Sequence, residues 1–205
     1  EPLFFTWLLL HLLAVRQYLT EGGKSWLLVA GLCLGLSVLT RYAGVAFVGG
    51  TGLFLLLRGG LAPRARLEAV ARFAMAAALL PLGWMLLVAT TSDNAAPRQL
   101  EVHLADSAHV IALIDVFLQW FQASAIGIFA GAALLCVALA CAVFAALRDA
   151  DVQRMLLSRL LLGNALVYIA FILVSISLFD YHTPIDNRIL SPVYVCLLAT
   201  LAMCG

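Results

Sequence analysis

Seven long runs of residues without a charged side chain follow one another along the chain, at positions 2–15, 25–40, 42–57, 73–92, 116–147, 160–179 and 189–205. A helix needs about 20 mainly apolar residues to cross a bilayer, and long flanking side chains extend shorter runs by reaching the headgroups. The fifth run is too long for one span, so its start, near 116–121, is predicted to lie along the interface. The pattern predicts an all-α, polytopic transmembrane helical bundle of about seven membrane segments, with residues 1–205 as a single transmembrane domain.

Only Thr40-Arg41-Tyr42 separates the second and third runs, which form either two short helices meeting at a surface or one broken helix. Lys and Arg collect on the cytoplasmic side of membrane proteins, so their positions can decide between two short helices and one broken helix. With Glu1 outside and a turn at Arg41, the predicted outer side holds three of the 12 basic residues, Arg41, Arg98 and Arg188. The inner side holds the others, Arg16, Lys24, Arg58, Arg64, Arg66, Arg72, Arg148, Arg154 and Arg159. This asymmetry predicts a true turn, because a single span there would reverse the side of every later loop.

The composition agrees with lipid as the surrounding solvent. Hydrophobic residues make up 64% of the chain and charged residues 11%, whereas a soluble domain carries roughly 25% charged residues. The net charge is +1 and there is no dense basic run, so no nucleic-acid partner is predicted. All five cysteines lie inside apolar runs without a CxxC pair, which indicates small buried hydrophobic side chains.

The two ends of the sequence are typical of a fragment. Glu1 is preceded by no initiator methionine, basic region or cleavage site, so it does not open a signal peptide. The last run reaches Gly205 without a polar flank. We therefore expect a chain that lacks its true N-terminus and its C-terminus.

Polar residues collect on the predicted outer side, in loops at about 92–116 and 180–189. The densest polar stretch is 180–192, where Asp186, Arg188 and His182 are candidate substrate contacts. Asp186 can pair with Arg188, and a histidine such as His182 titrates near neutral pH. The alternative is a solvated loop with a structural Asp–Arg pair, and the spacing of these residues demands no metal.

Two further candidates lie at the predicted outer ends of spans. Glu1 precedes Pro2 at the mouth of the first span, either as an N-cap carboxylate or as a contact in an outer cavity. Arg41 is costly between two apolar runs unless it reaches water or an anion, and its planar guanidinium suits phosphate. The alternative for Arg41 and Tyr42 is an interfacial anchor.

Other polar or small residues are better explained by packing or by a loop. His11 lies inside the first span, where a polar side chain usually faces the bundle interior, and Asn164 is similar. Gly31 and Gly35 have the GxxxG spacing of closely packed helices. His103 and His109 are assigned to the long outer loop.

Three segments together resemble one family of membrane enzymes. Glu1-Pro2-Leu3-Phe4 resembles an SEPLF element, and WLLVAGLCLGLSVLTRYAG at 26–44 resembles a following W…AGL..GLA.LTRYAG stretch. Residues 186–192 resemble an RYL.P element, with Ile189 in place of its tyrosine. These elements belong to bacterial polytopic glycosyltransferases of the GT-C superfamily, near the dolichyl-phosphate-mannose protein mannosyltransferase-like and Rgt-type families.

The resemblance implies an inverting glycosyltransferase in the bacterial inner membrane, with its active face extracytoplasmic. Such enzymes transfer a sugar from a polyprenyl-phosphate donor to a lipid, glycan or protein acceptor. An aspartate on the first outer loop acts as general base, with cations or a divalent metal near the departing phosphate. That loop would precede Glu1, so no catalytic residue is assigned in this chain. The resemblance implies Arg41 and Arg188 as phosphate contacts, with Glu1, Tyr42 and Asp186 lining the same outer cavity.

Two other functions stay open at the level of the sequence. A transporter or flippase carries charged residues near the bilayer midplane and often shows repeated halves. Here the charges cluster at one surface and no halves match, which favours an enzyme. A non-catalytic membrane subunit is the third hypothesis, since the expected general base is absent.

Overall fold

The computed structural model describes residues 2–91, 107–120, 151–178 and 184–204, together with scattered helical positions between 129 and 144. Over the four continuous ranges there are seven helices and no strand, namely α1 Pro2–Glu21, α2 Lys24–Thr40, α3 Gly44–Leu57, α4 Pro63–Thr91, α5 Ser107–Trp120, α6 Val152–Leu178 and α7 Asn187–Cys204. The chain divides into two compact units, Glu1–Pro97 and Arg98–Gly205. The prediction of an all-α protein is confirmed for these residues.

Three of the helices, α1, α4 and α6, are long and apolar enough to cross a membrane. The other four are apolar but shorter. Helix α4 begins at Pro63, well before the uncharged run that starts at Phe73. Proline suits the first helical turn, and Arg72 pairs with Glu68 one turn earlier at 2.7 Å, so charged residues extend this helix beyond its apolar part.

Helices α1 and α3 run in the same direction. The Nε2 atom of His11 lies 3.1 Å from the Thr51 hydroxyl, and the Arg58 guanidinium lies 5.4 Å from the centre of the Tyr18 ring. Both pairs are separated by 40 residues, and such a constant separation is the pattern of parallel helices. Helix α2 returns against α1, since Gly22, with a φ of 71°, turns the chain back directly after α1.

Helices α2 and α4 also run parallel. Near their starts Lys24 pairs with Glu68, and further along Gly31 lies against Phe73 and Ala77. The separations along the chain again stay nearly constant. The first unit is therefore a bundle of four helices that alternate in direction, which is the order expected from a turn at Arg41.

A close backbone approach holds α2 against α4. A Cβ atom on Gly31 would lie 2.5 Å from the Phe73 carbonyl oxygen, and one on Gly35 would lie 2.8 Å from the Ala77 carbonyl oxygen. Pro81 has no N–H group to bond that Ala77 oxygen four residues earlier, and Gly35 lets the backbone of α2 approach it. The structural role predicted for the Gly31–Gly35 pair is confirmed.

The second unit pairs α6 with α7 in opposite directions. The Tyr168 hydroxyl donates to the Ile189 carbonyl oxygen at 2.8 Å, and Leu197 packs against Leu162, one or two turns earlier in α6. Lower residue numbers in α6 are therefore paired with higher residue numbers in α7, as in antiparallel helices. The end of α6 and the start of α7 lie at the same end of the pair.

Two polar side chains inside the helices, His11 and Asn164, are buried and hydrogen-bonded, as predicted. The His11 Nδ1 atom donates to the Ala30 carbonyl oxygen at 3.0 Å, because a carbonyl can only accept. Its Nε2 atom then accepts from the Thr51 hydroxyl. The Asn164 amide donates to the Leu160 carbonyl oxygen at 3.0 Å. These contacts assign both residues to helix packing.

Candidate functional site

The break between α2 and α3 is a tight turn, as the charge distribution predicts. Helix α2 ends at Thr40, and Arg41 takes an extended backbone conformation with φ −157° and ψ 119°. The Arg41 N–H donates to the Ser37 carbonyl oxygen at 2.9 Å, and the Gly44 N–H donates to the Arg41 carbonyl oxygen at 2.9 Å. We call residues 41–43 the Arg41 turn.

The Arg41 turn presents a cation and an aromatic ring at one end of the first unit. Arg41 is half-buried, whereas 52% of the Tyr42 surface is exposed. A Cβ atom on Gly44 would lie 3.0 Å from the Val38 backbone nitrogen, so the small residue after the turn lets α3 start close to the last turn of α2. The turn therefore fixes both side chains where two helices meet.

The start of α1 lies at the same end of the bundle as the Arg41 turn. Helix α1 runs parallel to α3, so Pro2 at its first position lies near the level of Gly44 at the first position of α3. Glu1 lies outside the described residues. The four-helix order brings the start of α1, at Pro2, to the end of the unit that carries Arg41.

In the second unit, Asp186 caps the start of α7. Its Oδ1 atom accepts a hydrogen bond of 2.9 Å from the N–H group of Ile189, three residues later in the chain, as an N-cap side chain does. Arg188 lies in the first turn of α7 with its side chain exposed. The sequence pattern predicts Asp186 as a site residue or as a partner of Arg188, and the cap is an additional role that the structure shows. The signal for it was an aspartate directly before an apolar helical run.

A polar chain joins α5 to the start of α7. The Gln119 side-chain amide donates to the Asp115 carboxylate at 3.1 Å, and the Asn187 amide donates to the Gln119 side-chain oxygen at 2.9 Å. The Trp120 ring packs on Tyr194 at 4.9 Å between ring centres. Gln119 and Asn187 are not predictable from the sequence pattern, since their contact joins parts of the chain that are 68 residues apart.

The structure brings the candidate residues together in two places. Arg41 and Tyr42 are neighbours in the first unit, and Asp186 and Arg188 lie two residues apart at the start of α7 in the second. His182 and His103 lie outside the described residues. His109, assigned to a loop from the sequence, lies in the first turn of α5, because the helix begins well before the uncharged run does.

No group of three or more His, Cys, Asp or Glu side chains that could hold a metal ion occurs among the described residues. The residues that come together at the Arg41 turn and at the start of α7 are arginines, a tyrosine, an aspartate and amides. Such groups can bind an anionic or a hydroxylated ligand through hydrogen bonds.

Comparison with known proteins gives no relative for this chain: no family model, no curated protein and no solved structure matches it. The class of protein follows from the helices themselves. Three long apolar helices with broadly exposed hydrophobic surfaces mark the chain as an α-helical membrane protein.

Proposed function

We propose that the chain belongs to a membrane glycosyltransferase of the GT-C kind, which transfers a sugar from a polyprenyl-phosphate donor to a lipid, glycan or protein acceptor. The transfer takes place at the extracytoplasmic face of a bacterial inner membrane. The observation that carries the proposal is the Arg41 turn, which holds an arginine and a tyrosine at the junction of two short helices.

The chemistry of the donor explains why an arginine is needed at such a place. As the bond between the sugar and the phosphate breaks, negative charge grows on the departing polyprenyl phosphate. A planar guanidinium can donate two parallel hydrogen bonds to phosphate oxygens and stabilises this charge. Arg41 directly follows the end of α2, and Arg188 lies in the first turn of α7. Because the phosphates of lipids lie at the ends of membrane-spanning helices, these two arginines are the proposed phosphate contacts.

The topology behind this proposal has about seven membrane segments with Glu1 on the outer side. The alternating directions of α1 to α4 support it, since they put the Arg41 turn and the start of α1 at one end of the first unit. The antiparallel pairing of α6 and α7 agrees with it. The start of α7, which carries Arg188, lies at the end of the pair where α6 ends, and the proposed topology puts that end outside.

The distribution of charge favours an enzyme over a transporter. In the described ranges of α1 to α4, the charged side chains lie in the first or last two turns of a helix, in the turns between helices, or in the basic first part of α4. The one ionisable group deep in α1, His11, has both ring nitrogens engaged by Ala30 and Thr51. A transport pathway usually needs ionisable groups at the midplane that can exchange partners.

The test is the substitution Arg41→Ala in the full-length protein, reconstituted with a panel of polyprenyl-phosphate sugars together with lipid, glycan and protein acceptors. Release of polyprenyl phosphate is measured, because this product forms whichever acceptor is used. We expect a loss of about 10²-fold or more in the rate, the usual effect of removing one group that stabilises developing charge.

The matched control is Arg64→Ala, which removes an exposed cation near the start of α4, at the other end of the bundle. It should leave donor turnover unchanged. Unchanged donor affinity and turnover in Arg41→Ala would refute the assignment of Arg41. Absence of turnover with every donor in the unsubstituted protein would count against the glycosyltransferase itself.

A further inference from the structure

The first unit contains a cleft at the end opposite the Arg41 turn. Its volume is about 390 Å³, within the range of roughly 300–1,000 Å³ found for small-molecule sites. The walls are the end of α1, the start of α2, the segment after α3 and the start of α4. We call it the cationic cleft, and its charged lining residues are Glu21, Lys24, Arg58, Glu68 and Arg72.

One carboxylate in the cationic cleft holds two of its cations. Glu68 Oε1 accepts from Lys24 Nζ at 3.0 Å and from Arg72 Nη2 at 2.7 Å. The second carboxylate, Glu21, accepts from the neutral indole N–H of Trp26 at 2.9 Å. Three cations therefore face two carboxylates, and the excess of one positive charge is not balanced within the lining.

Arg58 is the cation that this network leaves for a ligand. Its guanidinium stacks on the Tyr18 ring at 5.4 Å, and no carboxylate pairs with it among the residues whose contacts are described. Stacking uses the face of a guanidinium and leaves its in-plane N–H groups directed outward. A half-buried arginine held by an aromatic ring in a cleft is therefore preorganised for an anion with several oxygen atoms.

We propose that the cationic cleft binds a phosphate group, with Arg58 as the principal contact and Lys24 and Arg72 as secondary contacts. Phosphate matches the planar donor geometry of Arg58 and the excess positive charge of the lining. The cleft lies among helix ends, where the headgroups of a bilayer lie. The phosphate can belong to an anionic lipid or to a soluble molecule, and the experiment separates these two sources.

The first measurement uses the purified full-length protein in detergent, titrated with phosphatidylglycerol and analysed by native mass spectrometry. The substitution Arg58→Gln should weaken binding about fivefold, the effect of one cation at a membrane surface. Arg64→Gln is the matched control, because Arg64 is an exposed arginine nearby in α4 that does not line the cleft. It should leave the affinity within the error of the unsubstituted protein.

The second measurement uses a variant that should strengthen the binding of phosphatidylglycerol instead of weakening it. Glu68→Gln removes the carboxylate that holds Lys24 and Arg72, so both cations become available to the ligand. This variant should bind phosphatidylglycerol about fivefold more tightly than the unsubstituted protein. A purely structural role for the Glu68 network would instead give weaker or unchanged binding. The two variants also guard against misfolding, since an unfolded protein cannot gain affinity.

The third measurement replaces the lipid by inorganic phosphate, followed by titration calorimetry on the same three variants. Binding of phosphatidylglycerol alone with the expected order of affinities assigns the cleft to lipid headgroups. Binding of inorganic phosphate with the same order assigns it to a soluble phosphate compound. The proposal is overturned if Arg58→Gln behaves like Arg64→Gln with both probes, or if the affinity of Glu68→Gln is unchanged or weaker.

Discussion

The close contact between α2 and α4 predicts that a single methyl group on Gly31 destabilises the first unit. A Cβ atom there would lie 2.5 Å from the Phe73 carbonyl oxygen, 2.7 Å from the Ala76 Cβ atom and 3.0 Å from the Ala77 nitrogen. Carbon and oxygen atoms in weak hydrogen bonds normally lie at about 3.3 Å or more, so the overlap is about 0.8 Å. Two of the three atoms are backbone atoms, so the helices must separate.

The size of the effect follows from two opposing contributions. Alanine is favoured over glycine in a helix interior by about 1 kcal/mol. Overpacking in a rigid interior costs typically 1–3 kcal/mol, and the backbone overlap at Gly31 puts it at the upper end of that range or above. We therefore expect Gly31→Ala to lose about 2 kcal/mol of stability or more.

Gly52→Ala is the matched control, because a Cβ atom at Gly52 in α3 meets nothing within 4 Å. It should leave stability unchanged or raise it by up to about 1 kcal/mol. Both variants can be unfolded in mixed micelles with increasing SDS, with loss of tertiary structure followed by near-ultraviolet circular dichroism. Equal stability of Gly31→Ala and Gly52→Ala would refute the close approach of α2 and α4.

Two further predictions concern hydrogen bonds between helices. Thr51→Val removes the hydroxyl that donates to His11 Nε2 and should cost about 1 kcal/mol, whereas Thr51→Ser should retain most of the stability in the same SDS titration. Tyr168→Phe removes the hydroxyl that donates to the Ile189 carbonyl oxygen, and it should cost about 1 kcal/mol of stability. Amide hydrogen exchange in the first turns of α7 should become faster. Unchanged exchange would contradict the contact.

The sequence predicts the helices and the turn at Arg41 because burial in lipid leaves a simple pattern. Uncharged runs mark the apolar parts of the spans, and the placement of Lys and Arg separates two helices from one broken helix. The GxxxG spacing of Gly31 and Gly35 likewise predicts close packing, since small residues at that spacing share one helix face. Each of these features depends on residues near one another in the chain.

The contacts that the sequence does not predict join distant segments. Gly31 and Gly35 pack against the backbone carbonyl oxygens of Phe73 and Ala77 in α4, and no sequence spacing identifies these partners. The cationic cleft combines residues from four helix ends, and the pairing of Lys24 with Glu68 spans 44 residues. Helix boundaries were also misplaced, since α4 continues through a basic stretch whose charges pair along the helix.

Asp186 shows how a structural cap can be mistaken for a chemical group, and it allows the two roles to be separated. Its carboxylate accepts the Ile189 N–H, a bond that an asparagine side chain makes equally well. Asp186→Ala should therefore cost about 1 kcal/mol and expose the Ile189 amide to exchange, whereas Asp186→Asn should keep both the stability and the protection.

The same pair of variants tests whether the charge of Asp186 matters to the proposed sugar transfer. Helix capping requires an acceptor oxygen, whereas repulsion or attraction of a phosphate, or proton transfer, requires the ionised carboxylate. If Asp186→Asn keeps the amide of Ile189 protected and yet lowers the release of polyprenyl phosphate, the carboxylate has a role beyond the cap. If the release is unchanged, Asp186 serves only to start α7, and Arg188 in the first turn is the candidate that remains at this end of the second unit.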